Sequence, residues 1–283
     1  MRSRIWLLLL ALGPATALAW GDECKFHADR AGGVDAKGVE KVVIRAGAGD
    51  MKIVGRSNAV RVEARGTACA GTQELLDGSH ITVRRDGNVI YVETTLPQNN
   101  DGSWNWGKDS YAYIDIGIAL PSSVPVDVMD SSGDTNIEDL AALTIQDSSG
   151  DLEIHRIAGA TDVTDSSGDL DIDDAGSARV RDSSGDIEID KVRGDVEITS
   201  DSSGDIHIAQ VGAGVHIAQD SSGGIRVEDV KGSVIVDSDS SDDIYTGHVG
   251  GDFTVTEDSS GDIDHDSVGG KVSIPENKRD SDN

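Results

Sequence analysis

The unit Asp-Ser-Ser-Gly-Asp, followed by an aliphatic residue, recurs through the second half of the chain and constrains its fold more than any other feature. The leading aspartates of eight copies are Asp130, Asp147, Asp165, Asp182, Asp201, Asp220, Asp239 and Asp258, at spacings of 17, 18, 17, 19, 19, 19 and 19 residues. A near-constant period of this length means a stack of like coils, each touching only its neighbours. Between turns the chain alternates. Ile187 and Ile189 point one way, Glu188 and Asp190 the other; after a corner at Val192-Arg193-Gly194, Val196 and Ile198 point inward and Glu197 outward. Such period-two alternation marks strands with one dry and one wet face. The roughly five aliphatics of a coil contribute about 1.5–3 kcal/mol each when buried, and no coil can bury them without a neighbour above and below.

The expected fold is therefore all-β: a single-domain parallel β-solenoid (β-helix) with coils of 17–19 residues, whose N-terminal part is degenerate and carries a hairpin. At about 4.8 Å per rung the eight coils of residues 122–274 make a rod on the order of 40 Å long. In each turn the leading Asp is expected to accept a backbone N–H two residues on, with Gly supplying the conformation needed to leave a type I turn. From Asp182 onward one residue is added just before the turn, as in Ile198-Thr199-Ser200-Asp201, which predicts a bulge. The copy at Asp239 reads Asp-Ser-Ser-Asp-Asp and, lacking the glycine, predicts the most strained turn.

Residues 20–121 read as degenerate β coils. Gly49-Asp50-Met51-Lys52-Ile53 and Val60-Arg61-Val62 repeat the template of a Gly-Asp turn followed by inward aliphatics. Ile81, Val83, Val89 and Tyr91 alternate around Asp86-Gly87-Asn88, a hairpin signal. Residues 97–110 read as an exposed loop, and Tyr111 to Ile116 resume the alternation. Pro275 ends the last strand, leaving 275–283 as a polar, disordered tail.

Residues 1–19 have the form of an export signal: Arg2 and Arg4, an apolar run from Ile5 to Leu12, then Ala17-Leu18-Ala19. The mature chain is thus expected in the periplasm or outside the cell, without membrane insertion after cleavage. In such an oxidising compartment the two cysteines, Cys24 and Cys69, are expected to form a disulfide. The formal charge of −28 is concentrated in residues 130–274, which hold 34 acidic and 8 basic side chains. A rod so charged repels nucleic acid and anionic membranes and attracts cations or basic partners. It is expected to stay monomeric.

The Ser-Gly-Asp-Ile turns, the degenerate Gly49-Asp50 coil and the Leu120-Pro121 entry to the repeats together resemble the bacterial "putative adhesin" family of exported β-solenoid proteins, over residues 40–274. The resemblance implies attachment to an envelope or surface ligand, protein or polysaccharide, and supplies no catalytic residues.

Three readings of the chemistry follow. The first is a non-enzymatic scaffold, with no catalytic residues and no cofactor, that binds its partner along the acidic strand faces or through the aromatics Trp104, Trp106, Tyr111 and Tyr113. The second is a structural solenoid whose stacked aspartates, for example Asp182, Asp186, Asp201 and Asp205, hold Ca²⁺ between coils through hard oxygen ligands. The third is a carbohydrate-active β-helix enzyme using paired carboxylates. Against the third, carboxylates recur in every coil alike, and His155, His207, His216, His248 and His265 fall at different places within their coils. For the leading aspartates, hydrogen bonding within the turn and screening by solvent are expected to offset the repulsion between stacked charges.

Overall fold

A computed structural model of the chain describes residues 24–97 and 110–276. The expected export signal, Trp104 and Trp106, and all but the first two residues of the tail lie outside the described residues. Each coil contributes one strand to each of two parallel ladders, and the aliphatics of both fill one continuous core. In one ladder Val126–Met129 pairs with Leu143–Gln146, and the sequence of rungs runs on to Phe253–Asp258 and Val272–Ser273. In the other, Thr135–Glu138 pairs in register with residues 152–155, and the rungs run on to Ile263–Val268. Like stacks on like: Ile172 on Ile189, Ile189 on Ile208, Ile208 on Val227. The parallel solenoid read from the repeats is the fold.

The degenerate N-terminal segment joins the same ladders, out of sequence order. Lys41–Arg45 lies between Val89–Thr95 and Val126–Met129. Met51–Arg56 lies between Ala112–Pro121 and Thr135–Glu138. The coil of residues 41–56 is therefore sandwiched between that of 89–121 and the first regular coil. Beyond it the pattern becomes antiparallel. His80–Asp86 forms the predicted hairpin with Val89–Thr95. Arg61–Ala70 covers the edge of Ala112–Pro121, and Phe26–Asp35 covers Arg61–Ala70. A six-residue helix, Gln73–Gly78, is capped by the Thr72 side chain and buries Leu75 and Leu76 against this cap. Cys24 and Cys69 are disulfide-bonded, as expected, and tie the first residue described to the covering strand.

The local expectations for the turns fare unevenly. The extra residue of the longer coils does form a bulge: Val180 pairs with Ile198, but Arg181 pairs with Ser200. Asp242, standing where the other turns have glycine, takes φ +76. Asp239 and Asp258 accept the N–H two residues on, as expected, at 3.4 and 3.0 Å, whereas Asp130, Asp147, Asp165, Asp201 and Asp220 accept from the very next one, as in Ser131 to Asp130 at 2.9 Å. A second column of left-handed residues was not legible in the repeat. Asp139, Arg156, Asp174, Lys191, Gln210, Asp229, His248 and Ser267 all have φ between +54 and +63 at the opposite corner of their coils. There each turns the chain so that a further aliphatic, such as Val192 or Val211, enters the core.

Candidate functional site

Every residue of the Asp-Ser-Ser-Gly-Asp unit has a separate task. The second serine donates its hydroxyl to the carbonyl of the first serine one coil back, as Ser184 does to Ser166 at 3.1 Å. The glycines take φ near +120 and stack so closely that a Cβ on one would strike the carbonyl oxygen of the last. The second aspartate accepts, through Oδ1, the backbone N–H of its equivalent in the next coil: Asp186 from Asp205 at 2.9 Å, Asp169 from Asp186 at 3.0 Å. These contacts make the second column a rail of carboxylates on the outer corner, interrupted at Gly224, and from Asp134 to Asp243 each carboxylate has one oxygen held.

The rail runs past the regular repeats. Asp50 accepts from the N–H of Asp134 at 3.2 Å, and Asp115 accepts from that of Asp50 at 3.0 Å. At this end the covering strand Arg61–Ala70 and the disulfide overhang the wall and leave a groove of about 870 Å³. Asp50, Asp115, Asp134, Asp151 and Glu153 line it, with Tyr113 and Lys52. Lys52 is 3.2 Å from Glu138, so its charge is partly spent outside the carboxylate cluster. Burial raises the pKa of Asp115, the N–H of Asp50 lowers it, and the Asp50 charge raises it again. The sequence gives no hint of this groove, because Asp115 joins the rail only through the out-of-order packing of residues 89–121.

The leading aspartates are placed quite differently from what the repeat suggested. They are not screened by solvent. Asp147, Asp165, Asp182, Asp201, Asp220 and Asp239 are all at most 3 % exposed, inside the coil. Asp130 is the best satisfied, since Thr135 donates to its Oδ2 at 3.0 Å. In the next coils that threonine is replaced by Leu152, Leu170 and Ile187. Burial pushes the Asp130 carboxyl up to about 6 even so, while the N–H of Ser131 and the Thr135 hydroxyl hold it down. Thr135→Val is expected to destabilise the fold by about 1–3 kcal/mol, the cost of leaving a buried acceptor without its donor. It is also expected to raise the Asp130 pKa further, which a ¹³C carboxyl titration of both proteins checks.

Of the four aspartates weighed as Ca²⁺ ligands, Asp182 and Asp201 are sealed inside and Asp186 and Asp205 lie on the outer rail. Among the described residues no group of three or more His, Cys, Asp or Glu side chains is placed to hold a metal ion. Tyr111 accepts the backbone N–H of Lys25 at 3.1 Å, and its ring stacks at 6.4 Å from that of Tyr113, which faces the groove. His216 lies 2.8 Å from Asp237 and His248 3.3 Å from Asp229, each pair bridging two adjacent coils.

Residues 39–243, spanning the sandwiched coil and most of the regular ones, match the model of the family described as Toastrack DUF4097. The chain belongs to this family. Comparison with curated proteins returns no match for this toastrack chain. It is similar to a "putative adhesin" from Parabacteroides merdae, at 12% identity and a TM-score of 0.36, over 89% of this chain and 97% of that one. A "putative lipid binding protein" from Parabacteroides distasonis is 13% identical with a TM-score of 0.35, over 88% and 97% of the two chains. A "putative cell adhesion protein" from Clostridium sporogenes is 13% identical with a TM-score of 0.29, over 88% and 99%. Likeness at this level carries nothing about the ligand or activity of the toastrack chain.

Proposed function

We propose that this toastrack chain is a non-enzymatic binding scaffold of the cell envelope that holds a cationic ligand in the groove beside its disulfide. The observation that carries this reading is the groove itself. It is a local departure from the repeat, where the overhanging strand gathers Asp50, Asp115, Asp134, Asp151 and Glu153 around one cavity. Low-dielectric walls focus the field of these carboxylates, which raises the local concentration of cations and basic groups. The tyrosine face of Tyr113 adds apolar surface for the body of such a ligand. Export to the periplasm or beyond belongs to the same reading. It is supported by the signal-like residues 1–19 and by the Cys24–Cys69 bond, a linkage that persists in oxidising surroundings.

The test is a binding titration of the mature chain with an oligolysine peptide and with envelope fractions. The double variant Asp50→Asn/Asp115→Asn keeps an acceptor oxygen for each backbone N–H while removing two charges. It is expected to weaken binding about 10-fold, on the order of 1.4 kcal/mol. Asp264→Asn, on the last strand pair, is expected to leave binding unchanged. Equal losses in both variants would reduce the groove to a share of the general charge. Turnover of any polysaccharide by the purified protein would overturn the non-enzymatic reading.

A further inference from the structure

We propose that the inner column of leading aspartates is a proton-binding site, in which neighbouring coils share protons carboxyl to carboxyl, so that the rod takes up protons and hardens as it is acidified.

The geometry supplies the reason. Six carboxyls from Asp147 to Asp239 lie inside the solenoid, at most 3 % exposed, one per coil. Adjacent rungs of a parallel ladder are about 4.8 Å apart, so each carboxyl has another directly above and below it; Asp239 and Asp258 are register partners. In Asp147, Asp165, Asp201 and Asp220 one oxygen accepts the next N–H at 2.7–2.8 Å. The second oxygens of these residues and of Asp239 are buried and meet no N–H or O–H donor. An ionised carboxylate only accepts, so a file of them leaves every inner oxygen unsatisfied and every charge uncompensated. A protonated carboxyl changes both: its O–H becomes the donor that the next carboxyl lacks. The charges of Asp220 and Asp239 already act on each other across their coils.

The charged groups that face the column are themselves carboxylates. Asp147 and Asp50 face Asp130, and Asp182 and Asp147 face Asp165. Asp169 faces Asp182, and Asp182 and Asp186 face Asp201. Asp201 and Asp239 face Asp220, and Asp258 and Asp220 face Asp239. Burial is the largest influence throughout; most of these carboxylates add to it, while the turn N–H groups, and for Asp239 the Asp220 side chain, pull the other way. Burial pushes Asp165, Asp201 and Asp239 up to about 6 and Asp220 up to about 7; Asp147 and Asp182 move in the same direction. The file titrates as a coupled set rather than residue by residue.

The sign follows directly. In the unfolded chain these groups titrate near the ordinary Asp value of about 3.9. Between about pH 4 and pH 7 the folded state therefore binds more protons than the unfolded one, and stability falls as the pH rises through that window. Exposed pairs act oppositely: Arg156 lowers the pKa of Glu138 and Asp139, whose contribution is lost only as acid protonates them, below the usual carboxylate range.

The experiment is a urea unfolding series of the mature protein at fixed ionic strength from pH 8 to pH 5, paired with a ¹³C carboxyl titration. The unfolding midpoint is expected to rise towards pH 5, with roughly four protons taken up on folding there. Several aspartate carboxyls are expected to titrate near pH 6–7. General relief of the net charge would also favour acid, so two isosteric variants separate the causes. Asp220→Asn is expected to flatten the pH dependence, and the exposed Asp162→Asn to leave it as it is. Equal flattening by both variants, or carboxyls that all titrate below pH 5 in the unaltered protein, would overturn the proposal. The titration needs no variant and so stands even if Asp220→Asn fails to fold.

Discussion

Alanine at Gly204 is expected to cost the fold about 4 kcal/mol or more, in the range reserved for severe structural lesions. Gly204 takes φ +129, and a Cβ there would sit 1.8 Å from the carbonyl oxygen of Gly185. That obstacle is backbone, held by the hydrogen bonds of its own coil, so relief requires the coils themselves to part. Parting them opens the seam through which Ile187 and Ile206 pack in register. Because coils stabilise only their neighbours, a break in mid-stack divides the rod into two shorter blocks. Urea unfolding of Gly204→Ala is therefore expected to show a lower midpoint and a smaller slope, as cooperativity across the seam is lost. Gly38 is the internal comparison. It also has positive φ, at +69, but no atom lies within 4 Å of its Cβ position. Gly38→Ala carries only the left-handed penalty, about 1–2 kcal/mol. Equal losses at the two positions would mean that backbone conformation, not the stacking of turns, governs the glycine column.

Replacing both cysteines by serine is the second large effect. The Cys24–Cys69 bond closes a loop with a sequence separation of 45, which the loop-closure relation equates to about 4 kcal/mol. The loss falls on one end of the molecule. Phe26–Asp35 is held by Arg61–Ala70 along one edge, by Arg30 donating to the carbonyls of Leu76 and Ser79, and by the disulfide at its start. In Cys24→Ser/Cys69→Ser, hydrogen exchange is expected to accelerate first in residues 26–35 and then in 61–70. Protection in the coils beyond residue 143 is expected to stay as it was. Uniform acceleration along the chain would instead make the cap and the rod a single cooperative unit.

The stack, its period, the bulge and the hairpin were legible because each is local: a turn every 17–19 residues, an inserted Thr199, a Gly87-Asn88 loop. The inner aspartates were legible too, through a signal easily passed over. Leu143, Ile145 and Asp147 keep one parity, so the alternation that buries the first two buries the third. The prior that carboxylates belong in water hides this. In the longer coils the bulge at Thr199 breaks the parity before Asp201, although the residue still turns inward. The groove was illegible for another reason. Asp115 and Asp50 are 65 residues apart and meet only because the chain lays its coils out of order. Nothing in either stretch alone specifies that pairing.

That order of coils governs how the molecule can be assembled. Lys41–Arg45 and Met51–Arg56 are read first, yet their two neighbours are residues 89–121 and 126–138. A chain growing or emerging from its N-terminus therefore carries two strands with both edges bare until residues 89–121 arrive, and with one edge bare until residues 126–138 follow. Only the arrival of Thr135–Glu138 closes this seed on both walls. Every later coil then meets a finished template and needs only the last 17–19 residues made. Completion of the seed is therefore the expected slow event, and the repeats that dominate the sequence the elongation that follows it.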